Sequence, residues 1–209
     1  MKKMTFLITI SFSIILFGCA TGKFTYIPSN QTAFVKNSID VEKSRDSTWE
    51  QLIAGLSSGS FVINNMNKQS GFINLSYTGD PEMYVEGGEL SYTITNLRGE
   101  RNYRFPASRA HTQYETTLKR NLYSFQRQLN LEASTDVLLF ELSPTRTRLT
   151  VNTIYLLSLK KTGYTPAGQP VITYQETIAF NSGLSSTSKA GVEYRSNGKL
   201  EQSILKIFK

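Results

Sequence analysis

The segment LTVNTIYLLSL, residues 149–159, carries the clearest structural signal in this chain. Strand-favouring side chains occupy every second position of it. The alternating set is Leu149, Val151, Thr153, Tyr155, Leu157 and Leu159. Because successive side chains of a β-strand point to opposite faces, this pattern predicts a long antiparallel strand with one buried face and one wet face.

The neighbouring sequence predicts the rest of an antiparallel sheet. Residues 137–142 form a nearly continuous apolar run, and the following Ser-Pro-Thr-Arg, residues 143–146, suits a hairpin turn. Further alternating segments predict strands at 61–63, 73–77, 90–94, 103–105, 129–133 and 172–180, with a first short strand around Phe34, Val35 and Ile39. The polar segments 106–116 and 181–197 are predicted to be loops. We therefore expect about seven or eight strands.

A helix is predicted before the first hairpin. Ser47 and Glu50 have the spacing of a capping box, in which each side chain satisfies a free backbone amide at the start of a helix. The side chains that follow at helical spacing form one apolar face: Trp49, Leu52, Ile53 and Leu56. The pattern predicts a helix over residues 48–56, with its only tryptophan as a core anchor.

A second helix is predicted at the end of the sequence. Ser196 or Asn197 would cap it, and its apolar face would consist of Leu200, Ile204, Ile207 and Phe208. A helix, a run of antiparallel strands and a terminal helix predict an α+β domain with both helices packed on one face of the sheet.

Composition limits the kinds of partner. The formal charge of the whole chain is +7, and removal of residues 1–18 with Lys2 and Lys3 would leave +5. Basic residues are scattered, with doublets at 119–120 and 160–161, and they follow no zinc-finger, helix-turn-helix or RNA-reader pattern. We therefore expect no nucleic-acid partner.

The N-terminus has the organisation of a secretory signal. Lys2 and Lys3 precede a short apolar run that ends at Leu16-Phe17-Gly18-Cys19. The run is shorter than the roughly 20 apolar residues of a comfortable membrane span. Cys19 is the only cysteine, so a mature domain would hold no internal disulfide. The alternatives at this point are an ordinary signal peptide or an uncleaved anchor with a coincidental cysteine.

This segment resembles the signal peptide and lipobox of bacterial lipoproteins. The resemblance implies cleavage after Leu16, Phe17 and Gly18, and acylation of Cys19. In bacteria with two membranes, Ala20 resembles the residue that permits outer-membrane delivery, with the domain facing the periplasm. The expected organisation is a signal peptide at 1–18, a lipidated cysteine and tether at 19–33, and one α+β domain at 34–209.

Two further resemblances involve the body of the chain. The first helix and hairpin resemble the helix-grip domains of BamC-type outer-membrane assembly lipoproteins, through Trp49, Leu52, Leu56, Phe61, Ile63, Gly71, Ile73 and Leu75. Segments 84–88, 143–148 and 195–201 resemble uncharacterised proteobacterial envelope lipoproteins. Members of that kind carry cysteines where Gly87 and Tyr194 stand here. That resemblance implies that Gly87 and Tyr194 are neighbours, since bridged Cα atoms lie about 4.4 to 6.8 Å apart.

Candidate chemical residues are few. His111 is the only histidine and lies in a polar segment without a nucleophile motif, so we expect it to be a solvated side chain. Glu82, Glu86 and Glu89 are close in sequence and suit either a calcium or acid–base site or a solvated face. We expect no metal site and no cofactor.

A loose group of arginines is the candidate binding site. Arg98, Arg101 and Arg104 would contact a phosphate or lipopolysaccharide anion, or else form a charged strand edge that discourages aggregation.

Two functions agree with these features. In the first, the protein is a membrane-anchored, non-enzymatic envelope module that binds or assembles with an envelope protein. In the second, it carries a lipid or another apolar ligand in a pocket between the sheet and the C-terminal helix. A filled core with an exposed apolar edge would favour the first function, and a deep apolar cavity between the sheet and the helix at 198–208 would favour the second.

Overall fold

A long antiparallel hairpin runs through the whole structure, a computed structural model that describes residues 20–30 and 36–208. The strands are β1 Thr21–Ile27, β2 Ser38–Val41, β3 Val62–Asn67, β4 Phe72–Gly79, β5 Val85–Glu86, β6 Glu89–Asn96, β7 Gly99–Pro106, β8 His111–Leu118, β9 Asn121–Ser143, β10 Arg146–Tyr164, β11 Pro170–Asn181, β12 Ser185–Thr187 and β13 Glu193–Ser196. The helices are α1 Arg45–Ser57, the single turn α2 Pro81–Tyr84 and α3 Lys199–Leu205, which continues as a 3-10 turn over Lys206–Phe208.

The hairpin of β9 and β10 organises a seven-stranded antiparallel sheet. Both strands are long enough to hold two partners along their outer edges. β9 pairs with β4 along one part and with β8 along another, while β10 pairs with β11 and β2 in the same way. β3 extends the sheet beyond β4. The alternating segment at 149–159 is the centre of β10, so the predicted α+β class with a sheet of about seven strands is confirmed.

The two helices cover one half of the inner face. Trp49, Leu52 and Leu56 of α1 meet Ile204 and Leu205 of α3 in one apolar cluster. The sheet supplies the other buried members of this cluster, which are Ile73, Leu75, Val137, Leu139, Leu149 and Val151. Both helices therefore pack on one face, as predicted.

Two small sheets cover the other half of the same face. One has the order β1-β6-β7 and the other β12-β13-β5. Tyr92 of β6 stacks on Tyr114 of β8 with 4.1 Å between ring centroids. This half also buries Leu131, Tyr155 and Leu157 from the long hairpin. Aromatic side chains thus form much of the core in this half of the sheet, and α3 adds Leu200 to it.

Three predicted irregular segments contain strands. Thr21–Ile27 forms β1 with β6, so the predicted tether at 19–33 is wrong for those residues. His111–Leu118 forms β8, although 106–116 was expected to be a loop. The predicted loop at 181–197 contains β12 and β13. These segments are polar because only part of their side chains face the core, and backbone pairing holds the strands in place.

Both helix starts differ from the sequence prediction. α1 begins earlier than residue 48, and Ser44 caps it by accepting a hydrogen bond from the backbone N–H of Ser47 at 3.3 Å. At α3 the cap position is Gly198, with φ of 74°. Asn197 still contributes, because its side chain accepts from the N–H of Lys199 at 3.1 Å.

Several predictions fall outside the described residues. They are the cleavage motif Leu16, Phe17 and Gly18, the anchor Cys19, and the strand residues Phe34 and Val35. Among the residues that the structure does describe, none of the helices has the length and apolar character needed to cross a bilayer.

Candidate functional site

A cleft of about 320 Å³ lies where the hairpin turns of three strand pairs meet. Its walls come from the β6–β7 turn, from β7, β8 and β9, and from the β10–β11 loop. The lining residues are Asn96, Arg98, Arg101, Glu115, Leu122, Ser124 and Pro166. We call this end of the domain the turn end.

Two of the three predicted arginines line this cleft. Arg101 is ion-paired with Glu115 at 2.9 Å, and both side chains are partly buried. The buried Nε of Arg101 has no hydrogen-bond acceptor among the described residues. Arg98 is exposed and forms no ion pair with them. The charged lining therefore has one net positive charge.

The third predicted arginine is not part of the cleft. Strand side chains alternate between faces, so Arg101 and Arg104 of β7 point to opposite sides of their sheet. Arg104 is bound to Glu89 of the neighbouring strand. The structure thus separates the three arginines: Arg98 and Arg101 line the cleft, while Arg104 forms an ion pair on the surface.

A basic turn at the same end was not recognised as part of the site. Lys119 and Arg120 form the two-residue turn between β8 and β9, with φ of 49° and 67°. Turns with two positive φ angles usually contain asparagine or glycine, since each left-handed residue with a Cβ costs roughly 1–2 kcal/mol. Both side chains are exposed. The sequence feature that marks this turn is the Lys119-Arg120 doublet, which directly follows Leu118.

The N-terminal strand begins at this end as well. Thr21 pairs with Thr95, directly before the β6–β7 turn. Gly22 lies against β8, where an added Cβ would be 2.6 Å from the hydroxyl of Thr117. The described chain therefore starts beside the turns that form the cleft.

A buried arginine occupies the centre of the aromatic half. The side chain of Arg127 is 1% exposed and donates to the carbonyl oxygens of Arg109, at 2.8 Å, and of Ala107. It also donates to the hydroxyl of Tyr194 at 3.1 Å. Lys161 is its cross-strand neighbour, and burial together with the charge of Arg127 lowers the pKa of Lys161. This arrangement ties β9 to β13 and to the loop before β8.

The expected adjacency of Gly87 and Tyr194 is present. Glu86 of β5 pairs with Arg195 of β13, which brings Gly87 against the ring of Tyr194. In this chain a tyrosine that is hydrogen-bonded to Arg127 fills the space next to Gly87.

A buried carboxylate holds the C-terminal helix. Glu201 of α3 is fully buried, and its Oε1 accepts from the hydroxyls of Tyr155 at 2.8 Å and Ser182 at 2.5 Å. Ser196 donates to Tyr155 at 3.0 Å. Burial and the neighbouring Glu201 raise the pKa of Tyr155, so its phenol stays a donor. We assign this group a structural role, since every member bonds to another part of the fold.

The remaining candidate residues are dispersed. His111 is exposed at the start of β8. Glu82 contacts Arg109 at 3.5 Å, Glu86 pairs with Arg195 of β13 through the backbone, and Glu89 contacts Arg104, so the three glutamates do not form one site. Within residues 20–30 and 36–208, no group of three or more His, Cys, Asp or Glu side chains is placed to hold a metal ion.

No family model, no curated protein and no solved structure matches this chain.

Proposed function

We propose that this protein is a lipid-anchored module of the bacterial outer membrane that binds or assembles with an envelope protein and catalyses no reaction. The observation that carries the proposal is the closeness of the folded domain to the predicted anchor. Ala20 alone separates Cys19 from β1, which begins at Thr21. A lipid on Cys19 would attach the domain directly to the bilayer surface.

The packing of α3 supports a binding module over a ligand carrier. Leu200 and Ile204 are fully buried, and Leu205 is 3% exposed. A cleft that touches this helix, beside Ile39 and Gln202, measures about 120 Å³. Ligand pockets are usually about 300–1,000 Å³, so the filled interface favours partner binding through the surface.

The anchor is tested by replacing its sulfur. Cys19→Ser should leave the chain unacylated and uncleaved at this site, since no other cysteine can take the lipid. Ala20→Ser is the matched control, which should be acylated and membrane-bound like the wild type. Mass spectrometry of the N-terminal peptide and detergent-phase partitioning measure both properties. A wild-type protein that begins at another residue, or carries no fatty acid on Cys19, would refute the proposal.

The partner is tested by crosslinking the acylated protein in intact envelopes. Because the proposed role is local to the membrane surface, an envelope protein should be crosslinked to the wild type and to Ala20→Ser but not to Cys19→Ser. Equal recovery with Cys19→Ser would show that the anchor is irrelevant to partner choice. Recovery of a bound lipid inside the purified domain would instead favour the carrier.

A further inference from the structure

We propose that the turn end of the domain is a membrane-contacting surface that binds the headgroups of anionic phospholipids. This inference rests on the proposed lipid anchor, because it assigns the side of the domain that the anchor holds against the bilayer. The surface consists of the β6–β7 turn with Leu97 and Arg98, the β8–β9 turn with Leu118, Lys119 and Arg120, and the cleft between them.

The start of β1 puts the anchor at this surface. Thr21 is paired with Thr95, two residues before Leu97. Ala20 is bonded to Cys19, so the acyl chains would enter the bilayer beside the two turns. The hydrogen-bonded β1 also leaves little freedom for the domain to rotate away, in contrast to the long tether expected from the sequence.

Both turns join an exposed leucine to basic side chains. Leu97 is 79% exposed and Leu118 is 48% exposed, although each lies beside a well-packed sheet. Arg98 follows Leu97, and Lys119 and Arg120 follow Leu118. Aliphatic side chains that enter the interface next to cations that meet lipid phosphates are typical of surface-bound membrane segments.

The cations at the turn end are available for an external anion. Arg98, Lys119 and Arg120 form no ion pair with any residue in the described ranges. At the opposite end of the hairpin, Arg146 and Arg148 are both bound to Asp40, at 2.8 and 2.7 Å. Arg146 also contacts Glu42 at 3.2 Å, so acids of the same chain offset both of these arginines, whereas Arg98, Lys119 and Arg120 remain available to an anionic surface.

The acidic residues of the turn end do not cancel this charge. Glu115 is paired with Arg101, and the one negative charge of Glu100, which accepts a hydrogen bond from Asn102 at 3.0 Å, is outnumbered by Arg98, Lys119 and Arg120. The exposed Lys23 of β1 adds a further cation on the adjacent sheet face. The two-residue turn needs positive φ at both positions, so the presence of Lys119 and Arg120 there in place of asparagine or glycine is consistent with a turn that presents two long cations.

The test uses an introduced tryptophan as a depth probe in the acylated full-length protein. Leu97→Trp and the control Phe140→Trp both alter an exposed side chain, 79% and 58% exposed. Phe140 is near the far end of the 23-residue β9, about 60 Å from the turn end at roughly 3.3 Å per residue. Each protein is reconstituted in vesicles of brominated phosphatidylcholine with phosphatidylglycerol. Wild-type emission, from the buried Trp49, is subtracted.

We expect bromolipid to quench the probe of the Leu97→Trp variant several-fold more strongly than that of the Phe140→Trp variant, with blue-shifted emission. Adding Arg98→Gln and Lys119→Gln to Leu97→Trp should reduce that quenching in phosphatidylglycerol vesicles. The control pair Lys199→Gln with Lys206→Gln removes the same charge from the helical half and should leave quenching unchanged. Equal quenching of the two probes, or no effect of lipid charge, would overturn the inference.

The outcomes separate this inference from the proposed function. A Leu97→Trp protein that is acylated and vesicle-bound but whose probe stays unquenched would refute the membrane-contacting surface alone. A blue shift of that probe that increases with the protein density on the vesicles, without quenching by bromolipid, would show that a second copy of the chain covers the turn end. That result would also refute the membrane-contacting surface. A protein without an acyl group refutes the anchor itself.

Discussion

Gly87 lies so close to the ring of Tyr194 that an added Cβ would be 3.0 Å from two ring carbons. The same Cβ would be 3.0 Å from the methyl group of Ala107, so it would be compressed from two sides. Tyr194 also accepts a hydrogen bond from the buried Arg127 at 3.1 Å, and a shift of the ring would stretch that bond. A side chain at position 87 would therefore push its neighbours away by a few tenths of an ångström.

Gly87→Ala should lower the free energy of unfolding by about 1–3 kcal/mol, the usual range for overpacking of a filled core. Denaturant unfolding measures the change. Gly59→Ala is the control, since its Cβ would meet nothing nearer than the carbonyl oxygen of Leu56 at 3.4 Å. If both alanine variants unfold at the same denaturant concentration, the contact of residue 87 with Tyr194 does not affect the free energy of unfolding.

Tyr155→Phe should destabilise the domain because it removes a donor from a buried carboxylate. Glu201 would keep Ser182 as its hydroxyl donor, and Ser196 would lose its acceptor. Hydrogen bonds to charged groups contribute about 1.5–3 kcal/mol, which is the expected loss in unfolding free energy. Tyr164→Phe removes an exposed 3.3 Å bond to Gln126 and should change stability by less than about 0.5 kcal/mol. Equal losses of unfolding free energy in the two variants would show that burial does not strengthen the hydrogen bond between Tyr155 and Glu201.

The sequence predicted the elements whose side chains alternate or repeat strongly. Residues 149–159 indicated β10 because its inner positions are all buried between two layers. The apolar face of α1 was found for the same reason. β1 and β8 were missed, since each contributes few core residues and is held by backbone hydrogen bonds to a stronger neighbour. β13 was missed because four residues are too few to show an alternating pattern. Strands that are held mainly by backbone hydrogen bonds need no alternation of apolar residues, so a single sequence does not indicate them.

The candidate site was predicted in part. Arg98 and Arg101 meet in the cleft, but the three-residue spacing of Arg101 and Arg104 puts them on opposite faces of a strand. The turn Lys119-Arg120 could not be recognised as a turn, because neither residue favours positive φ. Its nearness to Arg98 follows from tertiary packing alone. A local pattern therefore could not bring the two turns together.

Asp40 should make the stability of the domain depend on acid pH. Hydrogen bonds from Arg148, followed by the charges of Arg148 and Arg146, hold the pKa of this carboxyl below its usual value, although partial burial opposes them. Because the pKa is lower in the folded state, the stabilisation is complete above about pH 4, the unfolded value, and disappears as pH falls through the folded pKa.

Asp40→Asn should therefore lower the melting temperature at pH 7 and have a much smaller effect at pH 2. Added salt should also reduce the difference at pH 7, since the pair is near the surface. Glu141→Gln, at an exposed position of β9, is the control for loss of one negative charge. A difference between wild type and Asp40→Asn that is the same at both pH values would contradict the role of the ion pair in attaching β2 to β10.

Tyr77 should make stability fall at alkaline pH. Burial, with a smaller contribution from Tyr84, raises the pKa of Tyr77 to about 12. The unfolded chain releases this proton near pH 10. Between these values the folded state binds more protons than the unfolded state, so its stabilisation is complete below pH 10 and is lost as pH rises toward 12.

Tyr77→Phe removes this ionisation and should flatten the decline of unfolding free energy over that interval, measured in denaturant titrations from about pH 9 to about pH 11.5. Identical slopes for the variant and the wild type would show that Tyr77 titrates as an ordinary exposed phenol, and the packing of Tyr77 against Tyr84, with 5.0 Å between ring centroids, would then not protect its hydroxyl from water.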